Sequence, residues 1–218
     1  AIGYLALSTE DLGGTNVAVG HSALKDQDAG DVYNTAVGYF AGKQVTTATG
    51  NTLIGGLAGQ ALVTGDSNVA VGYNALSSET IGNGSVAIGT RALEDQQSGA
   101  GSVILNTAVG YEAGKNINGG PGTGDSNTAI GARSLDAETT GEENTAVGVD
   151  ALGGQTGADN NTALGWRAGY TTTTGSNVTL LGYNALASTA TVSNEITLGD
   201  SNVTALRCAV TSITSLSD

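Results

Sequence analysis

The stretch NTAVGYEAG (Asn106–Gly114) returns as NTAVGYFAG (Asn34–Gly42), with eight of nine positions identical. A chain that repeats itself is read by its period first, because a missed repeat misassigns the whole fold. Anchored on the glycine that closes the apolar triplet, the series runs Gly3, Gly20, Gly38, Gly55, Gly72, Gly89, Gly110, Gly131, Gly148, Gly165, Gly182 and Gly199. That makes twelve copies at steps of 17 to 21 residues, covering nearly all of the chain. The first copy is shortened to AIG and the chain holds no methionine, so the sequence is expected to begin inside a longer protein.

Within a copy, numbered from its glycine, position −4 is Asn in eight of nine standard copies and Ser85 in the other. Position −3 is Val or Thr, −2 is Ala (once Leu53), and −1 is Val, Ile or Leu. Alternation with period two puts −3 and −1 on one face of a strand, and −2 with the glycine on the other. Both faces are apolar, which predicts a strand buried on both sides. The bare Ala/Gly face invites another backbone to approach closely. Position +3 is Ala in ten copies and +4 alternates between Leu and Gly, before five to nine polar residues that read as loop. The expected unit is strand, glycine corner, short second strand and loop, with no room for a helix of ordinary length.

A unit this small cannot bury its own apolar face, so the copies must stack. The fold class is therefore all-β, a parallel β-roll or β-solenoid of about twelve coils over residues 1–199, with 200–218 as a terminal stalk-like segment. Asn34, Asn106 and Asn144 stand for an asparagine ladder at the turn, and Gly38, Gly110 and Gly148 for the corner.

Composition narrows the function classes. With 35 glycines but a single proline, the chain is not collagen-like. No stretch is apolar enough to cross a membrane as a helix. Twenty acidic against seven basic residues give a net charge of −13, which repels phosphate backbones and argues against nucleic acid. The single cysteine, Cys208, has no intrachain partner. The apolar residues are mostly Ala, Val and Leu, so the core is thin against an ordering cost of about 1–2 kcal/mol per residue. Association along the bare Ala/Gly face is the expected remedy, and three-fold symmetry would suit a narrow rod.

The element [NS]-[TV]-A-[VI]-G, as in NTAVG and GSVAIG, resembles the repeat of YadA-like trimeric adhesin heads. The resemblance implies a left-handed β-roll and a homotrimer, although the period here is longer than the compact repeat of those heads. From Asn194 the sequence NEITLGDSNVTALRCAVTSITSLSD is similar to the segment upstream of the intramolecular chaperone of phage endosialidases, tailspikes and tail fibres. That second likeness implies a processing junction at Ser217 and Asp218. It also implies that the roll gives way to a stalk where SNVTLLG and NEITLG carry one extra residue between Asn and Gly. Together the two imply a phage tail fibre or receptor-binding protein at the virion's fibre tip, adsorbing to a surface glycan or outer-membrane protein. The alternatives are a trimeric adhesin head on a bacterial cell surface and a polysaccharide depolymerase.

Candidate receptor-binding residues lie in two places. The two steps of 21 residues carry Asp95, Gln96 and Gln97 in one long loop and Asn116 and Asn118 in the other, and long loops on one face of a solenoid are where recognition surfaces concentrate. Aromatics recur at +1 (Tyr4, Tyr39, Tyr73, Tyr111, Trp166, Tyr183), either as a structural ladder or as a sugar-stacking surface, with Trp166 and Tyr170 the pair to test. No enzyme activity, cofactor or metal site is expected: His21 is the lone histidine, and the GDSN turns carry ordinary turn chemistry.

Overall fold

In the computed structural model the described residues are 1–10, 14–29, 32–98, 104–118, 120 and 123–205. Cys208, Ser217, Asp218 and most of the expected stalk lie outside them. The eleven strands among the described residues are three residues long: β1 (Val17–Val19), β2 (Thr35–Val37), β3 (Thr52–Ile54), β4 (Val69–Val71), β5 (Val86–Ile88), β6 (Thr107–Val109), β7 (Thr128–Ile130), β8 (Thr145–Val147), β9 (Thr162–Leu164), β10 (Thr179–Leu181) and β11 (Ile196–Leu198). They form one parallel sheet in sequence order, so each strand pairs with its equivalent one coil on. The register is unbroken, with Ala18 beside Ala36 at one end and Leu180 beside Thr197 at the other. The molecule is an all-β parallel solenoid of about ten turns, with no helix among the described residues.

The two strand faces are not equivalent. Alanine at −2 points into the coil and is sealed: Ala36, Ala70, Ala87, Ala108 and Ala146 have no exposed surface. The −1 side chains point out and remain partly open, with Ile54, Ile88, Ile130 and Leu164 between 38% and 52% exposed. The expectation of association along the bare Ala face is therefore corrected. Alternation in the sequence separates the faces but does not say which one the chain folds over.

The anchor glycine is forced by its neighbour. At Gly110 φ is 143°, and an added Cβ would lie 2.6 Å from backbone atoms of Gly131 in the next coil. Its amide donates to the Ile88 carbonyl at 2.8 Å, so the corner is part of the ladder. No side chain fits a corner that stacks backbone on backbone.

The expected second strand is absent. Beyond the glycine the chain makes consecutive turns, because +2 and +4 are left-handed. All eleven +2 residues from Leu5 to Asn184 are non-glycine and have φ of 50–64°. At +4 the Leu and Gly residues of the first ten copies, Leu7 to Gly169, alike have φ of 46–69°. Coils still bond through this segment, as where Leu24 N donates to Ala41 O at 3.0 Å. A left-handed leucine is strained by about 1–2 kcal/mol, and what offsets it is burial: Leu24, Leu76, Leu93, Leu135 and Leu152 are fully sealed.

Two kinds of rung result. Between the terminal copies, where +4 is Leu, +7 is a buried amide or carboxylate (Gln27, Glu79, Gln96, Glu138, Gln155). Where +4 is Gly, +7 is Val45, Leu62, Ile117 or Thr172. The glycine makes room: a Cβ on Gly42 would meet Leu53 Cδ1 at 2.7 Å and Leu24 Cδ2 at 2.9 Å. Leucine side chains of this and the adjacent coils thus occupy the space that the glycine leaves open.

The asparagine ladder forms as expected. Asn34 Oδ1 accepts from Asn51 N at 2.8 Å, and Asn34 Nδ2 donates to Ala48 O at 2.6 Å. The pattern recurs at Asn106 and Asn144. In the eleventh copy Val178 occupies the slot instead, and its amide donates to Asn161 Oδ1 at 2.9 Å. β10 and β11 keep the register, so the shifted asparagine marks the end of the ladder and not the end of the roll.

Candidate functional site

The corner geometry fixes what each coil shows to solvent. The +1 side chain leaves the roll just after the glycine, and +2 follows with a left-handed backbone, so both form columns along the solenoid axis. In the middle coils the +2 column alternates in charge: Arg91, Glu112, Arg133, Asp150, Arg167. Arg91 pairs with Glu94 and with Glu112, and Arg133 with Asp150 at 2.8 Å. The Glu94 hydrogen bond pushes the Arg91 guanidinium further up, so it stays charged. Asp136 beside this column is pushed above the ordinary carboxylate range by burial, against the pull of Arg133.

Arg167 ends the alternation differently. Among the described residues it has no carboxylate partner, and its Nε is buried without a hydrogen bond. Its guanidinium carbon lies 4.1 Å from the Tyr170 ring centre and 5.1 Å from that of Trp166. Trp166 stacks on Tyr183 of the next coil, with centroids 4.9 Å apart and planes at 14°. Tyr170 itself lies against Gly153, whose added Cβ would be 3.4 Å from Tyr170 Cδ2. Four side chains from adjacent coils therefore form one cationic aromatic patch, with Trp166, Tyr170 and Tyr183 all at least 39% exposed.

A second aromatic run lies at the other end, where His21 is 5.1 Å from Tyr4 and 5.4 Å from Tyr39. Tyr39 stacks on Phe40 at 4.0 Å, with Lys43 Nζ 4.7 Å above Phe40. Trp166 and Tyr183 thus stack face to face along the axis, whereas the rings of Tyr4, His21 and Tyr39 are tilted by 37–40° from coil to coil.

The long-loop residues divide. Gln97 and Asn118 are exposed, and Asp95 and Asn116 half-buried, with Asn116 Nδ2 donating to Asp136 O. Gln96 is buried: its Nε2 donates to Glu79 Oε2 and Ser85 Oγ, both at 3.0 Å, and its Oε1 accepts from Asn106. It holds the roll together and cannot touch a receptor. Residues 99–103, 119, 121 and 122 of these loops lie outside the described set.

Among the described residues the buried carboxylates Glu79 and Glu138 have no cationic partner. Glu138 Oε1 accepts from the amides of Thr139, Thr140 and Gly141 at 2.7–3.1 Å, while Oε2 takes Gln155 Nε2 at 2.8 Å. Glu79 is held the same way. Successive backbone amides thus supply the charge compensation. Sequence reasoning missed this column, although the coupling of Leu at +4 to Gln or Glu at +7 was visible once copies were aligned.

Two open depressions of about 480 and 500 Å³ lie at the Leu198–Val203 end and beside Thr46. Neither is lined by an aromatic or basic residue. Among the described residues no group of three or more potential ligand side chains could hold a metal. The chain matches no protein-family signature, no curated protein and no solved structure.

Proposed function

We propose that this chain is the repeat body of a homotrimeric attachment fibre, a phage tail fibre or receptor-binding protein that adsorbs to a bacterial surface. The observation carrying the assembly is the −1 column. Its eleven residues, Val19 through Leu198, are all Val, Ile or Leu, none is sealed, and none is charged in a chain of net charge −13. An uninterrupted apolar stripe along a rod marks an interaction surface. Sister chains that turn this stripe toward a common axis bury it along the whole length. The number three and the attachment role come from the resemblance to adhesin heads and to the lead-in of phage chaperone domains. Three copies of each weak site then gain avidity through effective concentration.

Trp166, Tyr170, Asp95, Gln97, Asn116 and Asn118 remain the surface residues this reading assigns to receptor contact. Fluorescently labelled protein should decorate host cells, and unlabelled protein should block phage adsorption. Failure to bind any of a panel of strains would contradict the reading. An adhesin head would share the stripe; the gene beyond Asp218 separates the two, with a self-releasing chaperone for the fibre and a coiled-coil stalk and anchor for the adhesin.

A further inference from the structure

We propose that Trp166, Arg167, Tyr170 and Tyr183 form a binding site for a carboxylate-bearing sugar. The inference rests on the attachment reading and names the chemistry one of its sites would take. The other arginines of the +2 column are each satisfied by a carboxylate one coil on, Glu112 or Asp150. Arg167 instead faces Asn184 at that place. Its Nε is sealed under the aromatic rings and lacks an acceptor, while its terminal nitrogens make no hydrogen bond among the described residues. A guanidinium packed against two rings is restrained in advance, so less rotamer freedom is lost when a planar anion docks. A carboxylate matches the guanidinium fork with two parallel hydrogen bonds.

The charge balance favours a singly charged ligand. One guanidinium compensates one carboxylate fully, whereas a phosphate dianion would keep an uncompensated charge in a chain of net −13. The ring of the same ligand has a platform. The Trp166–Tyr183 stack ends at Tyr183, because +1 in the next coil is Asp200, and Tyr183 is 63% exposed. An acidic pyranose placing its carboxylate on Arg167 can lay its C–H face against an aromatic ring.

Trp166 is the only tryptophan, so its emission reports on this site alone. The purified full chain is titrated with galacturonate and glucuronate trisaccharides and with N-acetylneuraminate, then with the same sugars carboxyl-reduced. Saturable change with at least one acidic sugar is expected, with binding roughly tenfold weaker or worse after reduction or in Arg167→Gln. Arg167→Lys, which keeps the charge but loses the fork, should fall between. Equal binding of the reduced sugars, undiminished binding by Arg167→Gln, or silence with all three acids overturns the proposal. A changed solution mass for Arg167→Gln also overturns it, since the guanidinium would then serve a sister chain's carboxylate. Host-cell binding is measured alongside. Cells bound equally by wild type and Arg167→Gln would leave the attachment reading standing while this site fails, and no cell binding at all would remove that reading itself.

Discussion

Each strand of the solenoid has an inside and an outside, and the two differ in finish. At −2 alanine is sealed in nearly every coil, while one residue later the −1 side chain stands half open to solvent. The inside is built from the smallest residues that pack, backed by leucines whose left-handed strain is tolerated for the burial they bring. The outside carries the larger Val, Ile and Leu side chains, which no other part of the described residues seals. A coil this thin uses its small residues to close on itself and turns its bulky ones outward.

The inside should break first. Gly110→Ala forces a Cβ into the Gly131 backbone at an unfavourable φ, and we expect a loss of about 3 kcal/mol in denaturant unfolding. A loss below about 1 kcal/mol would show that the corner relaxes and is not a fixed stacking point.

A subtler probe compares the two rung types. Gly42→Leu inserts a leucine against Leu53 and should cost about 2 kcal/mol. Adding Leu53→Ala reopens the space, so the double variant should recover much of that loss. Simple additivity of the two effects would mean that +4 and −2 do not share one cavity.

Turning outward, Val109→Thr replaces a methyl by a hydroxyl on the −1 column. If sister chains bury this column the change should cost about 1 kcal/mol in unfolding. A bare surface would register no change.

The smallest effect concerns Asp136. Its folded pKa is raised by burial, so ionisation is harder folded than unfolded. Stability from this group is complete below the unfolded value and is lost as pH rises through the folded one. Asp136→Asn should thus gain about 0.5 kcal/mol at neutral pH and nothing near pH 3. A uniform effect across pH would point to packing and not to charge.

The sequence made some of this legible and hid the rest, for physical reasons. The glycine period located every strand, and the asparagine slot located the ladder, because both are backbone demands repeated at fixed phase. The direction of the alanine face was not legible, since alternation labels two apolar faces without saying which curls inward. Nor was the run of left-handed turns. Arg91, Glu112 and Leu24 are not residues that announce such a backbone, and it is stacking that imposes it. Gln96 looked like loop surface because polar residues surround it; only its spacing of seven from Gly89 tied it to the interior column of Gln27 and Gln155. At the candidate site Trp166 and Tyr170 were visible as aromatics, whereas Arg167 between them emerged only when the next place in its column was seen to hold Asn184 and not a carboxylate.

The central claim is that the outward column is covered by sister chains, and the solution mass tests it most directly. Light scattering on the purified protein should give the mass of three 21.4-kDa chains, unchanged on dilution. A folded single chain of 21.4 kDa, with its strand signal intact, would contradict the account.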